Sequence, residues 1–246
     1  MNEKLRSAPV YSWLLTATPF FGAIAGTAAA FERGERVWWP ASRMWARGLL
    51  KTAGVARFVT VGLDTVEDAG PCILMSNHES HLDPPTLIMH FERPLSFLAK
   101  VELFRFPVFG WAMKRVGHIP IDRADRGKSF ASIDAAAAEV AEGRAVIIFP
   151  EGTRSRTDEM LPFKKGGFVL AIKSGAPIIP IGIAGTRTVL PPGWWVDEQG
   201  GAVAVVVGEP IPTDGYTLET KDALMDLVRE RITVLRAEAR AIAGTS

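Results

Sequence analysis

One stretch of the chain links its fold to its chemistry: Cys72-Ile73-Leu74-Met75-Ser76-Asn77-His78-Glu79-Ser80-His81-Leu82-Asp83-Pro84-Pro85. The apolar run at 72–75 predicts a buried strand, and the two prolines argue against a helix running through Asp83. His78 and Asp83 are therefore expected on a turn at the end of a strand, where α/β proteins place their functional side chains.

The spacing of His78 and Asp83 allows the two side chains to act as a pair. A carboxylate that accepts one ring N–H of a histidine fixes its tautomer, and the other ring nitrogen can then take a proton. The chain has no Gly-x-Ser-x-Gly nucleophile elbow, so the substrate itself would be the nucleophile. Two alternatives stay open at this point: His78 is a structural side chain, or His78, His81 and Asp83 bind a metal ion.

Polar residues at strand ends recur further along the chain. The blocks are Gly117-His118-Ile119-Pro120-Ile121-Asp122-Arg123, Phe149-Pro150-Glu151-Gly152-Thr153-Arg154-Ser155 and Pro177-Ile178-Ile179-Pro180-Ile181-Gly182-Ile183. The forked guanidinium groups of Arg123 and Arg154 suit a phosphate, and Lys100 is a further cationic candidate. Gly152 would let the backbone approach a ligand closely, and Thr153 offers a hydroxyl. The alternative for each cation is a solvated surface charge.

In order and spacing, the four blocks resemble those of the PlsC-type glycerophospholipid acyltransferases, in particular the 1-acylglycerol-3-phosphate acyltransferase branch. The first block fits the family pattern N-H-x-x-x-x-D, the second G-x-I-x-I-D-R and the third F-P-E-G-T-R-S. The fourth block is a looser match, a proline-flanked apolar strand. The resemblance covers roughly residues 70–185 and is specific because four blocks occur in the same order.

The resemblance implies transfer of an acyl group from acyl-CoA or acyl-carrier protein to the free hydroxyl of 1-acylglycerol-3-phosphate, which gives phosphatidic acid. It implies His78 as general base, oriented by Asp83, with no metal and no cofactor. The substrate-binding residues that it implies are Lys100, Arg123, Glu151, Gly152, Thr153 and Arg154. Glu151 is expected to organise the acceptor site, by pairing an arginine or by accepting a glycerol hydroxyl. The rival functions are acylation of another lysolipid, such as a lyso-ornithine lipid, hydrolysis, and a catalytically silent membrane-binding adaptor.

The charge balance and the cysteine count exclude several classes of protein. Lys and Arg total 28 against 27 Asp and Glu, a formal net charge of +1, so no global basic field exists to hold nucleic acid. The single cysteine excludes an intramolecular disulfide. Because Cys72 lies inside an apolar run, it is expected to be a small buried core residue rather than a nucleophile.

The N-terminal part of the chain predicts contact with a membrane. Residues 8–31 carry no charge, and residues 33–50 mix four arginines with three tryptophans, as headgroup regions favour. We therefore expect a membrane-associating helical segment at 1–54, an α/β acyltransferase domain at 55–246, and a location at the cytoplasmic face of a bacterial inner membrane. Residues 8–31 are long enough to span a bilayer, but Pro19 favours a broken, re-entrant pair of helices equally well. A cleaved secretory signal and a helix pair that only packs on the domain are the alternatives.

The rest of the sequence predicts one α/β domain with a central sheet flanked by helices. Strands are expected at 58–61, 178–183 and 202–207, besides those of the first and third blocks. Helices are expected at 85–90, 103–115 and 129–142. Apolar residues at helical spacing from Leu224 to Leu235 predict an amphipathic C-terminal helix that packs by one face.

Overall fold

A seven-stranded sheet forms the centre of the computed structural model, which describes residues 3–122, 126–193, 195–197 and 200–245. The strand order is β1-β7-β6-β2-β5-β3-β4. All neighbouring pairs are parallel except β6 and β7. The strands are β1 (Arg57–Val61), β2 (Cys72–Ser76), β3 (Leu95–Lys100), β4 (Ile119–Ile121), β5 (Ala145–Ile148), β6 (Ile178–Ala184) and β7 (Ala202–Val207). The predicted α/β fold with a helix-flanked sheet is confirmed.

Helices connect the strands and cover both faces of the sheet. They are α1 (Glu3–Ala28), α2 (Glu35–Thr52), α3 (Asp64–Glu67), α4 (Asp83–His90), α5 (Phe109–Arg115), α6 (Arg126–Ala141), α7 (Gly166–Ser174), α8 (Thr186–Val189) and α9 (Lys221–Ala243), with a 3₁₀ helix at Val101–Arg105. Trp38, Trp39 and Leu87 of α2 and α4 pack in the core on one face. Phe168 of α7 and Val228 of α9 pack in the core on the other. Such two-sided cover explains why the central strands are apolar throughout.

Strand β2 lies at the middle of the sheet, and every one of its residues is buried. It pairs with β5 on one side, Cys72 opposite Ala145, and with β6 on the other, Ile73 opposite Ile178. Because the three strands are parallel, the segments that follow them emerge side by side at one edge of the sheet. Those segments contain most of the first and third sequence blocks, whereas the fourth block is strand β6 itself.

The C-terminal helix α9 lies directly on β6 and β7. A Cβ atom at Gly182 of β6 would be 2.3 Å from the backbone nitrogen of Arg236, so only glycine permits this approach. On the inner face of α9, Leu224, Val228 and Ile232 are fully buried. The predicted one-faced packing of this helix is therefore confirmed.

The N-terminal segment is a hairpin of two long helices rather than a helix broken at Pro19. Helix α1 continues through Pro9 and Pro19, and its Trp13 packs over Gly48 of α2. The indole N–H of Trp13 donates to the Trp45 carbonyl at 3.1 Å. Across the described residues, no helix is both long enough and apolar enough to cross a bilayer.

Several elements differ from the expectation drawn from sequence. The predicted helix at 103–115 is a 3₁₀ turn followed by α5, because Pro107 has no N–H to continue the helix and Val108 has a φ of 58°. Helix α4 begins at Asp83, with both prolines in its first turn, where a missing N–H costs nothing. Strands β3 and β4 and helix α7 were not predicted.

Candidate active site

His78 and Asp83 form a hydrogen-bonded pair at the carboxyl edge of the sheet. Asp83 is fully buried, and its Oδ2 lies 2.7 Å from Nδ1 of His78. The same oxygen accepts the backbone N–H groups of Glu79 at 2.7 Å and Ser80 at 2.9 Å. Its Oδ1 accepts the hydroxyl of Thr186 at 2.6 Å. Since Asp83 acts as acceptor in all these contacts, Nδ1 of His78 donates and Nε2 is the basic nitrogen.

The His78 ring is held flat against an apolar wall but keeps contact with solvent. It stacks on Phe149 with ring centroids 4.1 Å apart, and 17% of the side chain is exposed. None of the described residues forms a hydrogen bond with Nε2. The ring is thus oriented, in the tautomer that a general base needs, and open on its basic side.

The backbone of His78 is fixed by the third sequence block. Its N–H donates to Oε1 of Glu151 at 2.8 Å, and its carbonyl accepts the Ser155 N–H at 2.9 Å. The second oxygen of Glu151 accepts the Leu161 N–H at 2.7 Å. Burial raises the pKa of Glu151, and these two backbone N–H groups lower it. Glu151 thus ties two loops together through backbone groups, whereas the sequence suggested an arginine or a glycerol hydroxyl as its partner.

Asn77 fastens the same loop to the neighbouring strand. Its amide donates to the Ile183 carbonyl at 2.9 Å and accepts the Ile183 N–H at 2.8 Å. This two-point side-chain contact links the first block to β6 beyond the last backbone pair, Ser76 and Ile181. Sequence reasoning did not assign a role to Asn77 or to Thr186. Asn77 stood next to His78 in the quoted block, but Thr186 had no local signal.

Arg154 is a partly buried cation that interacts electrostatically with Asp83 of the pair. Its Nη1 is buried and has no hydrogen-bond partner among the described residues. Burial lowers the pKa of its guanidinium, the carboxylate of Asp83 raises it, and Arg156 lowers it. Gly152, just before it, has a φ of +74°, which allows the tight turn after Pro150. A buried guanidinium nitrogen that lacks an acceptor is suited to an anionic ligand.

The structure gives less support to the other proposed binding residues. Lys100 ends β3 at the same edge of the sheet, but its ammonium is exposed and pairs with Glu102 at 3.3 Å. Thr153 is exposed on the loop after β5. Arg123 lies outside the described residues. The roles of all three stay predictions.

His81 lies beside the pair and is uncharged at neutral pH. Burial, the Arg154 charge and His78 lower its pKa to about 4, although the Asp83 charge raises it. A search of the described residues finds no group of three or more His, Cys, Asp or Glu side chains placed to hold a metal ion.

Comparisons with known proteins agree with this geometry. A family model described as "Acyltransferase" matches residues 57–184. A 1-acyl-sn-glycerol-3-phosphate acyltransferase of Chlamydomonas reinhardtii is 31% identical over 237 residues, which cover 93% of this chain and 69% of that one. The chain belongs to the acyltransferase family. The predicted resemblance to PlsC-type enzymes is therefore confirmed.

Other relatives of this acyltransferase span different shares of their own length. A chloroplastic 1-acyl-sn-glycerol-3-phosphate acyltransferase of Brassica napus is 38% identical over 57% of this chain and 41% of its own. One from Pseudomonas aeruginosa is 34% identical over 66% of this chain and 62% of its own. The chain thus spans between 41% and 69% of the length of these three relatives.

A solved structure shares the fold of this acyltransferase. The 1-acyl-sn-glycerophosphate acyltransferase PlsC of Thermotoga maritima superposes with a TM-score of 0.81 at 23% sequence identity. The match covers 98% of this chain and 95% of that one. The common fold therefore includes the N-terminal hairpin as well as the sheet.

Proposed function

We propose that the protein transfers an acyl group from an acyl thioester to the free hydroxyl of 1-acylglycerol-3-phosphate, giving phosphatidic acid. The observation that carries this proposal is the His78–Asp83 pair, with Nδ1 and Oδ2 2.7 Å apart and Nε2 left open. The names of the relatives suggest the acceptor, and the block pattern of the chain agrees with them. The donor is acyl-CoA or acyl-carrier protein.

The reaction is one acyl substitution assisted by a base. Nε2 of His78 takes the proton of the acceptor hydroxyl as that oxygen attacks the thioester carbonyl. The tetrahedral intermediate then collapses, the C–S bond breaks as the C–O ester bond is retained, and the proton leaves with the thiolate as a thiol. Asp83 stabilises the imidazolium that forms between the two steps. A positioned base contributes about 10²–10⁴-fold, so the orientation of two bound substrates supplies much of the remaining acceleration.

Arg154 is the group that we assign to the acceptor phosphate. Its buried Nη1 has no hydrogen-bond partner among the described residues, and a phosphate oxygen would supply one. Lys100 and Arg123 remain further candidates for the same anion, as the sequence suggests. Arg154 follows Glu151 on the loop that fixes the His78 backbone, so phosphate binding would place the glycerol hydroxyl relative to the base.

We propose further that the N-terminal hairpin lies on the membrane surface and delivers the lipid product into one leaflet. Large exposed apolar side chains concentrate on this hairpin and on the adjoining segment 103–111. They are Leu5, Leu15, Phe20, Phe31, Val37, Met44, Leu103, Phe106, Val108 and Trp111. An exposed apolar surface of this extent is typical of interfacial binding. The cytoplasmic face of an inner membrane fits the location of acyl-CoA and acyl-carrier protein.

The deciding experiment is a thiol-release assay on the purified protein with lysophosphatidate and acyl-CoA in vesicles. We expect acceptor-dependent thiol release by the wild type and none by His78→Ala, because the variant lacks the base that Asp83 orients. Binding of His78→Ala to the same vesicles should equal that of the wild type, which separates lost chemistry from lost membrane contact. Equal activity of the two proteins would disprove the mechanism. Wild-type activity only on other lysolipids would replace the acceptor, and no activity on any of them would favour the adaptor.

A further inference from the structure

The C-terminal helix α9 reaches two loops of the active site, although it contains none of the four sequence blocks. Arg229 and Arg236 lie seven residues apart, which is about two helical turns, and so they share one face of the helix. Both guanidinium groups donate hydrogen bonds to the loop 158–161, which follows the third block. An element at the far end of the chain thus contacts the segments around the base.

Arg236 connects this loop to the residue next to His78. Its Nη2 lies 3.1 Å and its Nε 3.3 Å from Oε2 of Glu79, while its Nη1 donates to the Asp158 carbonyl at 2.6 Å. Arg236 is 8% exposed and Glu79 4%, so this ion pair is almost completely withdrawn from water. One guanidinium therefore holds the first block and the loop after the third block together.

Arg229 makes a second connection to His78 through backbone groups. Its two terminal nitrogens donate to the carbonyls of Met160 and Leu161, each at 2.8 Å. The N–H of Leu161 in turn donates to Glu151, which also accepts the His78 N–H. The guanidinium lies 5.1 Å from the centroid of the Phe163 ring, a cation–π contact that fixes its orientation.

The buried pair is not an efficient way to stabilise a fold. Withdrawing two charges from water costs about as much as their attraction returns, and well-packed apolar residues often do as well. Burial and the Asp83 charge raise the pKa of Glu79, while the charge and hydrogen bond of Arg236 and the charge of Arg240 oppose that rise. A costly ion pair one residue from the base therefore suggests a role in geometry.

We propose that Arg236 is a positioning residue, which holds the His78 loop against the loop 158–161 through its pair with Glu79. The inference rests on the proposed function, since it concerns the base of that reaction. Arg236 contacts Glu79 and the Asp158 carbonyl, so it acts on the base through neighbouring residues. It acts by keeping His78 and the segment after Arg154 in one arrangement, and Arg229 supports the same arrangement through Glu151.

The test separates geometry from stability by removing the charges one at a time. Arg236→Met leaves Glu79 buried without its partner, so we expect a lower thermal midpoint and a kcat reduced about ten- to a hundredfold. The double variant Glu79→Gln with Arg236→Met removes both buried charges of this pair, so its midpoint should return close to that of the wild type. Its kcat should stay at least about tenfold low, because the connection between the loops is still absent.

The control lies one helical turn further along α9. Among the described residues, the guanidinium of Arg240 donates to the exposed side chain of Asp158 and affects Glu79 through its charge alone, so Arg240→Met should keep kcat within about twofold. Wild-type kcat in Arg236→Met, or recovery of kcat together with the midpoint in the double variant, would overturn the proposal. If Arg236→Met does not fold, the double variant and Arg236→Lys decide the question by the same comparison. Absence of turnover in the wild type would instead refute the proposed function, and this inference with it.

Discussion

At the scale of single residues, the orientation of Asp83 depends on a hydroxyl from a distant part of the chain. Thr186 begins α8, directly after Gly185, and donates to Oδ1 of Asp83 at 2.6 Å from a fully buried position. Gly185 has a φ of +89°, and a Cβ there would lie 2.0 Å from the Ala202 carbonyl oxygen. Only glycine fits at position 185, so the backbone conformation before Thr186 is fixed. In that conformation the Thr186 hydroxyl faces the Asp83 carboxylate.

Replacing Thr186 by valine removes this hydroxyl and keeps the shape. Hydrogen bonds to charged groups contribute about 1.5–3 kcal/mol, so Thr186→Val should lower the free energy of unfolding by that amount and kcat by about tenfold or more. Thr186→Ser keeps the donor and should retain most of the activity. Thiol-release kinetics and chemical unfolding measure the two effects. Equal activity of the valine and serine variants would show that the hydroxyl does not orient the pair.

Arg154 gives a second prediction at the residue scale. Arg154→Gln removes the charge and the forked donor, so we expect the KM for lysophosphatidate to rise about tenfold or more, and that for acyl-CoA far less. Lys165→Gln is the matched control. Lys165 directly precedes α7, and its exposed ammonium pairs with Asp222 of α9 at 3.2 Å. Steady-state kinetics with each substrate varied in turn measure the difference. A parallel rise in both KM values would argue against a phosphate contact.

At the scale of elements, the N-terminal hairpin combines close packing with an apolar outer surface. Helix α1 approaches α5 at Gly26, where a Cβ would lie 2.2 Å from the Trp111 ring. Leu15 and Phe20 point away from this contact and are 76% and 61% exposed. The hairpin is thus fastened to the sheet domain on one side and open on the other. On our proposal that the outer side binds a membrane surface, the packed side would hold the active site at a fixed distance from the lipid.

The double variant Leu15→Asp with Phe20→Asp tests this surface. Burial of each side chain in lipid is worth about 1.5–3 kcal/mol, so vesicle binding should fall at least about tenfold, while turnover of substrate in detergent should persist. The matched control is Leu218→Asp with Val234→Asp, because these exposed apolar side chains lie in the C-terminal part of the chain, outside the hairpin. Sedimentation with vesicles measures binding. Equal loss in both double variants would argue against a defined membrane face.

The limits of sequence reasoning follow from the range over which contacts form. His78, Asp83, Glu151 and Arg154 could be chosen because each stands in a short block beside an apolar strand. Thr186, Arg229 and Arg236 act across the fold on residues about 70 to 157 positions away, and neither propensity nor periodicity encodes such contacts. Strand β4 escaped notice because three residues carry too little pattern.

For the molecule as a whole, His118 predicts how stability varies with pH. Its ring packs edge-on against Phe97 and accepts the Phe97 N–H at 3.2 Å, and burial and the Arg144 charge lower its pKa to about 4. The unfolded chain takes a proton near pH 6.5 and the folded one resists, so stability falls as the pH drops from about 6.5 to 4. His118→Gln should remove about 2 kcal/mol of the difference in unfolding free energy between pH 7.5 and 4.5. Urea unfolding at both values checks this, and an unchanged difference would refute it.

The burial of Cys72 in the central strand has a practical consequence for assays that detect released thiol. Its side chain is 0% exposed, and burial raises the pKa of the thiol, although the Arg93 charge lowers it. Since the thiolate is the reactive form, we expect the folded protein not to react with a thiol reagent. Every thiol that such a reagent counts during turnover then comes from the donor. In a sample without substrate, reaction with the same reagent would report the fraction of molecules that have unfolded and exposed Cys72.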